Sequence, residues 1–179
     1  MSGSFHAAHS LVAIGSNLAD AAGRAPLEVG RAAVAALKQV AGLRVVAVSS
    51  WYRTAPVPVS DQPDFINGVV LLEGVIAPTA LLAVLQGLEA AAGRQRWVTN
   101  AARVLDLDII DMGGVVRERP DPILPHPRAH QRAFVLAPLA DVAPGWRHPV
   151  LHCGAGDLLR ALGEQHICMV PGTEWRPEA

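Results

Sequence analysis

Apolar residues recur along the chain in two different patterns, short continuous runs and helical spacing. Short apolar runs bounded by turn residues predict strands at residues 10–14, 43–54, 65–75 and 104–110. Apolar residues at helical spacing predict helices at residues 26–41 and 79–92. Gly42 and Gly93 follow the two helical patterns, which is typical of helix C-termini. The predicted order is therefore strand, helix, strand, strand, helix, strand.

This order predicts an α+β fold of the ferredoxin-like βαββαβ type. In such a sandwich, one antiparallel sheet carries both helices on one face. The other face is left to loops, and we expect the active-site loops there. The chain has 179 residues, which predicts a single domain, 1–179, with its core at about 10–162.

The pattern weakens after the last predicted strand. Gly113 and Gly114 predict a tight turn into residues 115–117. A short apolar segment follows at 134–139, and one or two helical turns are predicted at 157–162. Residues 163–179 carry little pattern and are predicted to form a surface tail.

Composition and charge exclude several classes of protein. The formal net charge is −1, so bulk electrostatics indicate neither a nucleic-acid nor a membrane surface. Lys38 is the only lysine and follows no glycine-rich loop, which excludes a P-loop nucleotide site. Cys153 and Cys168 lack metal-binding spacing and are predicted to be reduced thiols of a cytosolic protein. We expect neither a signal peptide nor a transmembrane span.

The strand at 104–110 carries two carboxylates, Asp106 and Asp108. Side chains alternate along a strand, so both carboxylates should lie on one face and repel each other. A cation must then lie close to them, either an arginine pair or Mg²⁺, which prefers oxygen ligands and substrate phosphates. Arg94, Arg96 and Arg103 precede the strand and are suited to binding phosphates. This combination makes phosphoryl transfer the leading hypothesis.

Phe65 and Asn67 share one face at the start of the predicted strand 65–75. An aromatic ring beside an amide suits a flat heterocycle, because one stacks while the other forms hydrogen bonds. The ordinary alternative is that Phe65 is core and Asn67 caps the strand end, and spacing alone favours it. The proline-rich loop 55–64 is either a pocket wall or a simple connector.

Several motifs together resemble one enzyme family, 6-hydroxymethyl-7,8-dihydropterin pyrophosphokinase. They are Ala-Ile-Gly-Ser-Asn-Leu at 13–18, Ser-Trp-Tyr-Arg-Thr at 50–54, Asp-Gln-Pro-Asp-Phe-Ile-Asn at 61–67, Arg-Val-Leu-Asp-Leu-Asp-Ile at 103–109, Pro-His-Pro at 125–127, Arg-Ala-Phe-Val at 132–135 and Pro-Leu at 138–139. The matches keep the family order over roughly residues 12–144. The resemblance implies a ferredoxin-like fold and an enzyme of folate biosynthesis that is usually a cytoplasmic monomer. Such an enzyme transfers the pyrophosphoryl group of ATP to the pterin hydroxymethyl oxygen and releases AMP.

The resemblance also implies roles for individual residues. Asp106 and Asp108 would hold two Mg²⁺ ions. The positions that match catalytic arginines are Arg94, Arg96 and Arg103. The positions that match contacts to ATP are Gln86, Glu89, Arg96, Ile109, His126 and Arg132. The positions that match the pterin site are Thr54, Ala55, Val57, Phe65, Asn67, Asp106 and Phe134.

Some positions depart from the family pattern. Residues 99–102 replace a Trp-Gly-Pro run that many members carry before the arginine, and Pro127 replaces a common aromatic residue. Asp121 and Ile123 lie where an arginine and a threonine often contact the nucleotide.

Three other interpretations compete with an enzyme. In a binding module that has lost catalysis, we would expect some of the charged site residues to be replaced. All of them are present: Arg94, Arg96, Arg103, Asp106, Asp108, His126 and Arg132. An RNA-recognition domain shares the βαββαβ order but requires basic and aromatic residues where this chain carries Asp106 and Asp108. A zinc site at His126 and His130 lacks a nearby third ligand in the sequence.

Overall fold

The computed structural model describes residues 9–56, 60–93 and 102–174. It contains six strands, β1 His9–Ser16, β2 Arg44–Val48, β3 Tyr52–Thr54, β4 Phe65–Glu73, β5 Asp106–Met112 and β6 Ile167–Met169. It contains four α-helices, α1 Pro26–Leu37, α2 Pro78–Ala91, α3 Ala133–Val142 and α4 Ala155–Ala161, and a 3₁₀ turn at Ala129–Gln131. Within this described part of the chain, no helix is long and apolar enough to cross a bilayer.

The strands form one sheet in the order β5-β1-β4-β3-β6, and β2 pairs with β4 beside β3. Every pairing is antiparallel, as predicted. The central strands β1 and β4 are mostly buried, and each has a neighbouring strand on both sides. The architecture is therefore a mixed α/β fold around an antiparallel sheet.

Helices cover both faces of the sheet, which corrects the prediction of helices on one face only. On one face α1 and α2 pack against Val12, Val70 and Leu107 in the larger core. On the other face α3 and α4 form a second core with Leu11 and Val69. The loops predicted for this second face therefore share it with two helices.

The prediction of a short apolar segment at 134–139 was incomplete, because α3 runs from Ala133 to Val142. Its buried residues include Val135, Leu139 and Val142, which lie at helical spacing. Pro138 lies inside the helix, and proline ordinarily breaks a helix interior, so the local pattern underestimated its length. Burial of this apolar face against β4 favours the helix despite the proline.

The single strand predicted at 43–54 is divided into β2 and β3. Between them, the Ser49 hydroxyl accepts a hydrogen bond from the Val69 amide at 2.9 Å. The pairing register with β4 shifts by one residue across this break, since Val48 faces Val70 and Tyr52 faces Asn67. The break lets the Trp51 side chain enter the core, where it is 4% exposed.

Trp51 packs against two glycines, Gly30 of α1 and Gly68 of β4. A Cβ atom at Gly30 would lie 2.5 Å from Cη2 of Trp51. We expect Gly30→Ala to lower the free energy of unfolding by about 2 kcal/mol, because the overpacked indole cannot move in a filled core. The loss should occur although alanine forms helices better than glycine by about 1 kcal/mol.

Urea unfolding of Gly30→Ala and Gly87→Ala checks this expectation. Gly87 is the matched control, because it is exposed on α2 and a Cβ there would have no neighbour within 4 Å. Gly87→Ala should stabilise the protein by about 0.5–1 kcal/mol. A stabilised Gly30→Ala variant would contradict the packing described for Trp51.

The segment predicted to be a surface tail contributes an edge strand. Within residues 163–174, β6 pairs with β3 so that Ile167 faces Thr54. The Val170 amide donates to the Trp51 carbonyl at 2.7 Å, and the Trp51 amide donates to the Thr173 hydroxyl at 3.1 Å. Local sequence does not predict this strand, because it is short and its hydrogen-bonding partner β3 lies far away along the chain.

Candidate active site

A cavity of about 380 Å³ opens on the sheet face that carries α3. Strands β1, β4 and β5 contribute its floor, and the loop before β4 and the segment leading into α3 contribute its walls. The predicted site residues that line it are Thr54, Ala55, Phe65, Asn67, Arg103, Asp106, Asp108, His126, Arg132 and Phe134. The structure therefore brings together most of the predicted pterin positions and the predicted carboxylates.

Gly15 forms part of the cavity floor between β4 and β5. It faces Asn67 on one side and Asp106 on the other in the sheet register. A Cβ atom at Gly15 would lie 3.3 Å from Asn67 Oδ1 and 4.0 Å from Phe65 Cδ1. The strand predicted at 10–14 ends before Gly15, but β1 continues to Ser16, and Gly15 keeps the floor open beside the predicted pterin residues.

Asn67 and Phe65 occupy one end of the cavity. Asn67 is 5% exposed, and its Nδ2 donates to the Thr54 hydroxyl at 2.8 Å. This bond orients the amide, and Asn67 lies within β4 instead of capping its end. Phe65 is half-buried and lines the cavity together with Phe134. Two aromatic rings and an oriented amide suit a flat polar ring.

Asp106 and Asp108 lie on the same face of β5, as the alternation predicted, and both line the cavity. Arg103 Nη1 lies 2.5 Å from Asp106 Oδ1, so the arginine just before the strand already balances one carboxylate. His126 Nε2 lies 3.8 Å from Asp108 Oδ2. The enclosing cavity wall and the neighbouring charge of Asp106 raise the pKa of Asp108, although His126, Arg132 and Arg103 oppose the shift.

These carboxylates fit a Mg²⁺ site. Two adjacent anionic oxygen donors are stabilised by a hard cation, and Mg²⁺ is commonly held by one or two carboxylates plus phosphates and water. Among the residues that the structure describes, no three His, Cys, Asp or Glu side chains group as a metal site. His130, the other histidine of the zinc hypothesis, packs edge-on against His148 with ring centroids 5.4 Å apart.

His126 is held in one tautomer by the backbone around it. Its own amide donates to the Ile110 carbonyl at 2.9 Å, and its Nδ1 accepts from the Arg128 amide at 3.1 Å. In the neutral ring the proton is then on Nε2, which faces Asp108. Burial lowers the pKa of His126, and the charges of Arg132 and Arg128 act in the same direction against the attraction of Asp108.

Arg132 lies above the aromatic part of the cavity. Its Cζ is 5.4 Å from the centre of the Phe134 ring, within the range of a cation–π contact. Burial lowers the pKa of Arg132, and the nearby charge of Arg128 adds to the effect. Two guanidinium groups close together at a cavity wall favour an anion between them.

Other predicted site residues lie elsewhere. Glu89 is 2% exposed on the opposite side of the sheet, where its Oε1 accepts from the Leu107 amide at 2.8 Å. Ile109 is buried in the core beneath α1 and α2, and Gln86 lies on α2 outside the cavity lining. The remaining predicted positions, Val57, Arg94 and Arg96, lie outside the described residues.

Sequence reasoning missed a buried residue that holds two parts of the site together. Asn17 is 2% exposed, and its Oδ1 accepts from the Arg103 amide at 2.7 Å. Its Nδ2 donates to the Pro63 carbonyl at 3.1 Å and to Gln62 Oε1 at 3.3 Å. Asn17 thus links Arg103 to the loop before β4. An asparagine directly after an apolar strand was the available signal.

Other lining residues also escaped the sequence analysis. They are Ala13, Ile14, Gly15, Pro56, Ser60, Gln62, Arg128 and Val135. Ala13 and Gly15 carry no chemistry of their own, so only the sheet register reveals their role. Arg128, two residues after His126, could have been found from its position in a basic segment.

Comparison with known proteins identifies the family. The family model described as 7,8-dihydro-6-hydroxymethylpterin-pyrophosphokinase matches residues 11–144. The chain is 44% identical over 138 residues to a 2-amino-4-hydroxy-6-hydroxymethyldihydropteridine pyrophosphokinase of Pseudomonas aeruginosa, covering 77% of this chain and 82% of that protein. It is 40% identical over 147 residues to the Synechocystis sp. protein of the same name, covering 79% and 73% of the two chains.

Solved structures show a similar fold. The crystal structure of wild-type Plasmodium falciparum HPPK-DHPS superposes with a TM-score of 0.64 at 12% identity. The match covers 86% of this chain and 44% of that chain, so this chain spans less than half of the malarial protein. At this identity the likeness concerns the fold alone. The sequence matches confirm the predicted family and enzyme class, and the chain belongs to the 7,8-dihydro-6-hydroxymethylpterin-pyrophosphokinase family.

Proposed function

We propose that this chain transfers the pyrophosphoryl group of ATP to the hydroxymethyl oxygen of 6-hydroxymethyl-7,8-dihydropterin and releases AMP. The observation that carries the proposal is a single cavity with two chemically different ends. One end holds Phe65, Phe134 and Asn67, and the other holds Asp106 and Asp108 with arginines around them. A flat ring and a polyphosphate can therefore meet within one site.

The aromatic end is proposed to bind the pterin. Phe65 and Phe134 would contact the faces of the ring. The Thr54 hydroxyl already accepts from Asn67 Nδ2, so Asn67 Oδ1 is oriented to accept from an amino or ring N–H group of the pterin. Backbone groups of Thr54, Ala55 and Val57 would complete the edge recognition.

The charged end is proposed to bind the triphosphate. Arg103, Arg132 and the Nε2–H of His126 would donate to phosphate oxygens. Arg94 and Arg96 are proposed to add further cations from the segment before β5. We propose that Asp106 and Asp108 hold two Mg²⁺ ions, which when bound would neutralise phosphate charge and make the pterin hydroxyl more acidic.

The reaction breaks the bond between the β-phosphorus and the oxygen that bridges it to the α-phosphorus. It forms a bond from the pterin hydroxymethyl oxygen to the β-phosphorus. The proton of the hydroxyl is lost, and AMP is the leaving group. Because such phosphoryl transfers pass through loose transition states, positioning and charge neutralisation supply most of the catalysis. In the sheet, only Gly15 lies between Asp106 and Asn67, and Asp106 is proposed to orient the attacking hydroxyl.

The fold supports the same assignment. We propose that β1, α1, β2 with β3, β4, α2 and β5 form a ferredoxin-like core, because β5, β1, β4 and β3 lie side by side and antiparallel. We also propose that the chain works as a monomeric single domain in the cytoplasm. Light scattering during size-exclusion chromatography would check the monomer.

The test is nucleotide product analysis with ATP, Mg²⁺ and 6-hydroxymethyl-7,8-dihydropterin. We expect pterin-dependent AMP, and a fall of about 100-fold or more in Asp106→Asn because a charged group at the phosphates is lost. Asp157→Asn is the matched control, since Asp157 pairs with Arg160 three residues away, as Asp106 pairs with Arg103, but is exposed on α4. Asp157→Asn should retain full activity.

Two outcomes would contradict the proposal. Pterin-dependent ADP would indicate a kinase that transfers one phosphoryl group. Pterin binding without any turnover would support the binding-module interpretation instead.

A further inference from the structure

The C-terminal part of the chain reaches the proposed active site through one side chain, that of Gln165. Gln165 lies between α4 and β6, beyond the residues that match the family model. Its Oε1 accepts from the Ala133 amide at 2.9 Å, and its Nε2 donates to the Gln131 carbonyl at 3.1 Å. One amide side chain thus binds the backbone on both sides of Arg132.

The bond to Ala133 has a clear physical cause. Arg132 is the N-cap of α3, and its side chain forms no capping hydrogen bond. A guanidinium has no acceptor, so Arg132 cannot satisfy the free amides at the start of the helix. Gln165 supplies an acceptor for one of these amides. The N-cap position therefore does not need an ordinary capping side chain such as serine or aspartate. It can carry Arg132, whose side chain lines the cavity.

The two ends of the Gln165 segment are anchored. Before it, α4 packs against α3 in the second core. After it, β6 pairs with β3, so that Ile167 faces Thr54. The packed helix α4 before Gln165 and the paired strand β6 after it therefore fix its position beside the junction of the 3₁₀ turn and α3.

We propose that Gln165 is a positioning residue that sets the backbone of Arg132, and with it the guanidinium above Phe134, for binding the triphosphate. This inference rests on the proposed function of the same cavity. Residues 163–174 then belong to the scaffold of the site. Without the Gln165 bonds, the peptide groups on either side of Arg132 would turn more freely, and the guanidinium would be less well oriented before ligand binds.

The test measures binding of α,β-methylene-ATP with Mg²⁺ by calorimetry, because this analogue lacks the bond that the proposed reaction breaks. We expect Gln165→Ala to raise the Kd about five- to tenfold, the effect of losing one or two hydrogen bonds. Gln165→Glu keeps an acceptor for Ala133 but no donor for Gln131, so its Kd should be intermediate. His166→Ala is the matched control, because His166 is the exposed neighbour.

A double-mutant cycle separates positioning from general stabilisation. In an Arg132→Ala background, Gln165→Ala should have no further effect on the Kd. An unchanged Kd in both Gln165 variants, or a Gln165→Ala effect that persists in full without the Arg132 side chain, would overturn the inference. If Gln165→Ala does not fold, the same cycle run with Gln165→Glu decides it.

The outcomes also distinguish this inference from the proposed function. Failure of the unaltered protein to bind the analogue would overturn both. Analogue binding with the expected coupling but without pterin-dependent AMP would overturn only the proposed reaction.

Discussion

Asp108→Asn is expected to lower kcat by about 1,000-fold and to raise the Tm of the ligand-free protein by about 2 °C. The loss of activity is expected from the proposed Mg²⁺ site, because asparagine has the shape of aspartate but no charge to hold Mg²⁺. The gain in stability follows because the substitution removes a carboxylate that is repelled by Asp106 and partly desolvated. The gain is small because the Asp108 side chain is 41% exposed and water in the cavity screens the repulsion.

The stability gain should depend on pH. The pKa of Asp108 is raised in the folded protein, so its carboxyl favours folding while protonated, and that contribution is lost as the pH rises through the folded-state pKa. Asp108→Asn should therefore be more stable than the unaltered protein at neutral pH. The difference in Tm between the two proteins should vanish below the pKa that Asp108 has in the unfolded chain. Thermal unfolding at a series of pH values measures it.

Asp157→Asn again serves as the control for Asp108→Asn. It removes an exposed carboxylate that is paired with Arg160, so its Tm should stay the same or fall slightly. The interpretation of the carboxylate pair would be wrong if Asp108→Asn lowered the Tm at neutral pH or kept kcat within tenfold of the unaltered protein.

Gly15→Val is expected to raise the Kd for the pterin about 100-fold while the protein remains folded. The first added carbon would lie 3.3 Å from Asn67 Oδ1, and the two methyl groups would extend into the cavity between Phe65 and Asp106. Fitting the pterin against these added groups should cost about 3 kcal/mol of binding free energy, similar to overpacking in a filled core, which corresponds to about 100-fold in affinity. Valine suits a strand, so the fold itself should tolerate it.

Pterin titration in the presence of α,β-methylene-ATP measures this effect, and Gly87→Val on the exposed side of α2 provides a glycine-to-valine control. The control should bind the pterin as well as the unaltered protein does. Unchanged pterin affinity in a folded Gly15→Val variant would mean that the pterin lies away from this floor.

The shared face of Asp106 and Asp108 and that of Phe65 and Asn67 were predictable, because each depends on the alternation within one strand. Asp106 and Asp108 face the cavity, while Leu107 and Ile109 between and after them are buried in the core. Phe65 and Asn67 follow the same rule on β4. Strand geometry alone fixes which side chains share a face, and the sequence motifs identified the family.

Other features depend on residues far apart in the chain. The local pattern misjudged α3 because Pro138 argues against a helix, and only burial against β4 reveals its stabilisation. It also missed β6, because an edge strand of three residues needs β3 as a partner. The break between β2 and β3 depends on space for Trp51 beside Gly30 and Gly68, which no local pattern encodes.

The sequence by itself determined the alternating faces of the strands, the apolar stripes of α1 and α2 and the family motifs, since these depend on neighbours within a few residues. The tertiary structure decided the rest. It placed Gly15 between Asn67 and Asp106 and buried Glu89 against β5. It also brought the Gln165 side chain to the backbone groups on both sides of Arg132. These contacts arise from sheet register and helix packing, which depend on how distant segments share one core.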